Sequence, residues 1–147
     1  MPTNPNAPFG FKYIEKVDGS PPNFGLRQGL IASANTDTIF TGSPLAPVNG
    51  SGYLSLAAVV PGGEPLGGVA WSFQWVSKSQ NKTVFQNWWP GNGDALGDVI
   101  VYYRAERDSL FEVQCLLGPV TQASVGSNAN FSGVSGTTVG AGNQSNA

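Results

Sequence analysis

Apolar and polar positions alternate along this chain in short bursts. Each burst ends at a cluster of Gly, Pro, Asn, Asp or Ser. Val69 to Ser77 is the clearest: Val69, Trp71, Phe73 and Trp75 fall on one face of an extended strand, a packing face for all four. The same period predicts strands over Phe11 to Val17, Leu30 to Ala34, Ile39 to Thr41 and Tyr53 to Val60. Further strands follow over Val84 to Trp89, Asp98 to Glu106 and Leu110 to Leu117. Turn signals divide them: Asp18 to Asn23, Gly42-Ser43-Pro44, Pro47 to Gly52, Pro61-Gly62-Gly63 and Pro90 to Asp94. No stretch keeps a 3.6-residue apolar period for three turns, so long helices are not expected. Turn clusters about every ten residues predict an all-β fold, a small sandwich or barrel of jelly-roll or tulip-like form.

The ends differ from the middle. Residues 1–11 form a proline-rich arm in which Pro2, Pro5 and Pro8 each remove a backbone donor and favour extended geometry. The arm ends in Phe9-Gly10-Phe11 and needs a surface to lie on, its own domain or a neighbouring subunit. Residues 12–120 hold the strands. Residues 121–147 carry no charge, and Phe131 is their one large apolar side chain. That composition suits a flexible tail or an extended arm whose small residues let another backbone come close.

Composition narrows the chemistry. The 147 residues include no His and one Cys, and only 11% are charged, against 20 Gly and 11 Pro. Without His, Ser-His-Asp and Cys-His catalysis and His-ligated zinc are excluded. Cys115 lies in an apolar run and reads as a buried hydrophobe, with no partner for an intrachain disulfide. The net charge is −2, and Lys12, Lys16, Arg27, Lys78, Lys82, Arg104 and Arg107 form no basic cluster. Nucleic acid is therefore not an expected partner. No run approaches the roughly 18 apolar residues of a membrane span, and the first residues lack a signal-peptide pattern. The expectation is a chain made in a cytoplasm and not exported, with no membrane partner.

Several features could carry chemistry or fill a plain structural role. Trp88-Trp89-Pro90-Gly91 could form an aromatic platform for sugar rings, or fill a core or subunit interface. On a strand these adjacent rings point opposite ways, so one of them is expected to leave the core and touch a partner. Asp94 and Asp98, with Asn92 between Gly91 and Gly93 just before them, do not match an EF-hand spacing and read as a polar turn. Glu106, Asp108 and Glu112 could pair as acid and base, but Arg104 and Arg107 beside them suggest a solvated mixed-charge turn. Gly62-Gly63 and Gly67-Gly68 lack the Lys-Ser/Thr of a phosphate loop. Asn49, Asn81, Asn130 and Asn143 match glycosylation sequons in a chain rich in Asn and Ser. The balance favours a structural or binding protein, with no enzyme activity, cofactor or metal expected.

Five stretches together resemble the capsid decoration (cement) proteins of tailed bacteriophages, especially short-tailed ones. Asn4-Pro5-Asn6-Ala7-Pro8-Phe9-Gly10-Phe11 looks like that family's opening Asn-Pro-Asn-Ala-Pro-Phe-Gly. Ile39-Phe40-Thr41-Gly42-Ser43-Pro44 is similar to its apolar strand running into Gly-Asp-Pro, with Ser43 in place of the acid. Gly68-Val69-Ala70 resembles its Gly-Val-Val-Val strand opening, and Asp108-Ser109-Leu110-Phe111-Glu112-Val113-Gln114 its Pro-x-Leu-x-Phe-Glu-Ile-Gln strand. Val125 to Phe131 with the Gly/Ser/Thr run after it is the last. The resemblance implies a small all-β, non-enzymatic protein on the outer face of a virion. It implies a dimer or trimer that clamps neighbouring major capsid proteins against internal DNA pressure. Ordering ten arm residues costs on the order of 10–20 kcal/mol. Pro5, Pro8, Phe9 and Phe11 are the expected anchors of the N-terminal arm, with Trp88, Trp89 and Phe131 as further capsid or subunit contacts. A carbohydrate-binding module using exposed Trp rings is the alternative.

Overall fold

The computed structural model describes residues 10–20, 25–57, 66–91, 93–105, 107–113 and 121–127. The expected contacts Pro5, Pro8, Phe9 and Phe131 lie outside these residues, as do Asn92, Glu106 and Cys115. The described strands are β1 (Lys12–Lys16), β2 (Arg27–Ile31), β3 (Ile39–Phe40), β4 (Pro44–Pro47) and β5 (Leu54–Leu56). They continue with β6 (Gly68–Ser77), β7 (Lys82–Gln86), β8 (Trp88–Trp89), β9 (Val99–Arg104) and β10 (Ser109–Glu112). Among the described residues there is no α-helix; the one helical piece is a 3-10 turn at Gln122–Ser124. The chain is all-β, as its alternation predicts.

One six-stranded antiparallel sheet runs β2-β9-β6-β4-β5. Strand β7 also pairs with β6, on the edge opposite β9 that it shares with β4. Among the described residues two further ribbons form, β1 with β10 and β3 with β8. Leu54 of β5 lies against Gly29 of β2, whose Cβ, if added, would stand 2.6 Å from Leu54 Cδ1. The sheet thus curls until its outer strands approach, the Leu54 side chain lying over the Gly29 backbone. No ladder closes it into a barrel among the described residues, so the sandwich is the form adopted.

The expected face of Val69, Trp71, Phe73 and Trp75 does not hold. Ala70 pairs with Tyr103 but Ser72 pairs with Tyr102, so Trp71 is the extra residue of a β-bulge. The bulge reverses the side-chain parity. Ala70 before it and Phe73 and Trp75 after it face the core, while Trp71 is 44% exposed. Val99 and Val101 of β9 and Ile31 of β2 meet them from the neighbouring strands, and Trp89 from the β3–β8 ribbon caps this face. Its indole meets Trp75 edge to face at 5.3 Å.

Other boundaries move for identifiable reasons. Strand β4 occupies a stretch whose prolines read as breakers. Pro44 is its first residue, where a ladder does not need the missing N–H, and Pro47 its last. The strand predicted at Leu30 to Ala34 starts earlier, at Arg27, because the whole of β2 pairs with β9; a turn from Ala32 to Asn35 ends it. The predicted Val84 to Trp89 strand is two strands serving different sheets. Asn87 separates them, and its carbonyl accepts hydrogen bonds from the Thr41 N–H and hydroxyl, both at 2.8 Å. The start of the small-residue C-terminal stretch, Thr121 to Ser127, is exposed and contains the 3-10 turn, not an extended strand.

Candidate functional site

The β1–β10 ribbon and the chain around Thr41 and Gly42 meet the large sheet at the Trp71 bulge and enclose a groove of about 260 Å³. Aromatic rings dominate its walls. Phe11 meets Phe111 edge to face at 6.1 Å, and Tyr13, directly opposite Phe111 in the ribbon, lies 5.7 Å from it. Trp71 forms part of the wall because the bulge turns it away from the core.

Arg104 ends β9 opposite Val69 and is only 4% exposed. Its guanidinium carbon sits 4.0 Å from the centre of the Tyr13 ring and 5.8 Å from that of Trp71. Electron-rich ring faces thus surround a cation largely removed from water, an arrangement favourable by about 0.5–2 kcal/mol. Lys12 is the other charged residue lining the groove. Its ammonium is 3.7 Å from Glu112, its cross-strand partner, and both side chains are exposed. The Tyr13 hydroxyl is buried and makes no hydrogen bond.

The sequence-predicted contacts separate. Phe11 lines the groove. Trp89 has no exposed surface, so its expected role in an outside contact is corrected: it is a core residue. Trp88 points the other way, as adjacent strand residues must, and is half-buried. Phe40 stacks on one face of its ring at 5.7 Å with an 8° interplanar angle. The pair therefore forms no shared platform, and the exposed indole is that of Trp71.

The acidic candidates have structural partners. Asp108 lies 3.4 Å from Lys16, and Glu112 faces Lys12. Asp94 accepts hydrogen bonds from the Ser77 hydroxyl at 2.6 Å and the Ser79 N–H at 2.9 Å. The Ser77 bond first, then that from Ser79, holds its carboxyl below the usual range. Asp98 accepts from the Tyr53 hydroxyl at 3.0 Å, which pushes the phenol up. Among the described residues no three His, Cys, Asp or Glu side chains cluster as metal ligands would.

A second surface lies on the sheet face opposite the core. Register places Leu30, Ile100, Gln74 and Phe85 in one row across β2, β9, β6 and β7. Gln28, Tyr102 and Ser72 form the next row, and the Tyr102 hydroxyl donates to Gln74 Oε1 at 2.8 Å. Phe85 is 68% exposed, and Leu30 and Val76 are 43% exposed. No charged residue falls in these two rows.

Of the groove's residues, sequence reading singled out Phe11 as a contact and missed Tyr13, although its period-two spacing from Phe11 puts both rings on one face of an extended strand. Trp71, Arg104 and Phe111 were not legible as its partners, since the bulge and the ribbon pairing bring them there. Comparison of the chain with family models, with characterised proteins and with solved structures finds no match in any of the three.

Proposed function

We propose that the chain is a structural protein that decorates the outer face of a phage capsid and clamps neighbouring major capsid proteins. The observation that carries this reading is the uncharged sheet face around Phe85, Val76 and Leu30. Large apolar side chains there stand in water on a strand surface that needs no loop movement to meet another protein. Such a face gains free energy on contact at roughly 25 cal/mol per Å² of apolar surface covered. The motif resemblance supports the partner, and the all-β fold suits a passive clamp whose work is contact, not chemistry.

The test is a heat-release experiment on heads of the virus that encodes the chain, with and without bound protein. Loaded heads are expected to retain DNA to a higher temperature, and Phe85→Asp should remove the gain. Equal release temperatures for loaded and bare heads would contradict the clamp. A sugar-binding reading now centres on Trp71, the exposed ring beside Lys12, instead of Trp88 and Trp89. A glycan-induced shift in Trp emission, absent in Trp71→Ala, would favour it.

A further inference from the structure

We propose that the groove walled by Phe11, Tyr13, Trp71 and Phe111 is a receptor for a polyproline II segment. Its occupant is the proline-rich N-terminal segment of a second copy of this chain. The inference concerns self-association and stands whether or not the partner shell is a capsid.

Three observations converge. First, Pro2, Pro5 and Pro8 recur every third residue. A polyproline II helix has three residues per turn, so this spacing lines the three rings along one edge. Segments of that kind dock on aromatic-lined grooves, and they lose little entropy because the helix is already extended. The stretch from Pro2 to Pro8 would span about 19 Å at 3.1 Å per residue.

Second, the polar side chains of the groove complement that backbone. Lys12 and the Trp71 indole N–H can only donate, and the Tyr13 hydroxyl, which makes no hydrogen bond, can donate as well. Thr41 already donates its hydroxyl proton inside the fold, to the Trp71 and Asn87 carbonyls at 2.6 and 2.8 Å. No carboxylate lines the groove. A polyproline II segment makes no internal hydrogen bonds, so its carbonyls remain free to accept, and each proline lacks an N–H that would compete.

Third, the attachment point argues for exchange between copies. Phe11 is itself a wall of the groove, and its N–H donates to the Gly42 carbonyl at 3.0 Å. Only Phe9 and Gly10 separate that wall from Pro8. A tight reversal there, which the φ of +72° at Gly10 permits, would lay the chain's own arm beside β1 at strand spacing, about 4.8 Å away. That position is in the plane of the ribbon and not over its ring faces. A segment from another copy has no such tether. Each copy then offers one arm and one groove, a head-to-tail contact that closes into a ring when the rotation allows.

Sedimentation equilibrium of the full chain tests this, with two variants. Pro2→Ala/Pro5→Ala/Pro8→Ala removes the ligand without touching the packed strands. Trp71→Ala removes the groove's exposed ring, and its thermal melt checks folding. The wild type is expected to associate with rising concentration, and each variant to associate at least tenfold more weakly. Mixing the two variants should restore one arm–groove pair and give a one-to-one complex. A synthetic peptide of residues 2–8 should dissociate the wild-type assembly and shift its Trp emission. A wild type that stays monomeric overturns the proposal, even if the peptide binds. Association unchanged in the triple proline variant overturns it as well, whatever Trp71→Ala does.

Discussion

Gly68 has no room for a side chain. Its φ is +154°, and an added Cβ would stand 2.1 Å from the Arg104 carbonyl oxygen, a backbone atom of the paired strand. Gly68→Ala must push β6 away from β9 beside the Val69–Arg104 pair. A loss of about 2–4 kcal/mol is expected in urea unfolding. Gly50→Ala, with nothing within 4 Å, should cost only the strain of its φ of +76°. Equal losses would show that conformation and not contact sets the cost at Gly68.

Asp94 makes the residue scale visible through pH. Its carboxyl is held below the ordinary value by the Ser77 hydroxyl and the Ser79 N–H. A carboxyl with a depressed folded pKa adds stability above the unfolded pKa of about 3.9 and loses it as pH falls through the folded value. Asp94→Asn resembles the protonated acid. Hydrogen exchange at Ser79 and Gln80, in the β6–β7 turn, should therefore be faster in the variant at neutral pH and converge with the wild type in acid. A difference that persists unchanged into acid would contradict the assignment.

At the scale of elements, the β6 bulge decides what the molecule shows to solvent. Removing Trp71 from the chain leaves Ala70, Ser72 and Phe73 in plain alternation, with Ala70 and Phe73 still on the core side. Deletion of Trp71 should therefore preserve the fold and lose the groove wall. Trp89→Ala, by contrast, opens a hole beside Trp75 and should cost about 3–5 kcal/mol. Thermal melts of the two variants compare them directly; a deletion as damaging as Trp89→Ala would mean that the bulge itself holds the sheet together.

This element also explains what sequence reading reached. Period-two alternation located β1, β6 and β9 to within two residues and the start of β10 to within one, because each keeps one face against other side chains; the end predicted at Leu117 lies outside the described residues. It misassigned Trp71, since one extra residue reverses parity and leaves no mark in the composition. It missed β4, because prolines at both ends of a strand look the same as prolines in a turn. It anticipated that Trp88 and Trp89 diverge. Which of the two is core followed only from β8 pairing with β3 and laying Trp89 on Trp75.

For the whole molecule, a curled sheet buries one face under the β3–β8 ribbon and leaves much of the other uncovered. The β1–β10 ribbon covers only the end near Arg104, where the aromatic groove forms. The described residues thus present two surfaces of different character, an apolar sheet face and an aromatic-walled groove. On the proposed reading, the sheet face would hold the shell and the groove would join copies.

Cosedimentation with mature heads, with copy number read from the pellet, tests the clamp most directly. The wild type is expected to bind saturably at a fixed ratio to the major capsid protein. Phe85→Lys, a change at a residue 68% exposed and expected to alter folding by no more than about 0.5 kcal/mol, should lower the affinity at least tenfold. Folded wild-type protein left wholly in the supernatant would contradict the capsid reading.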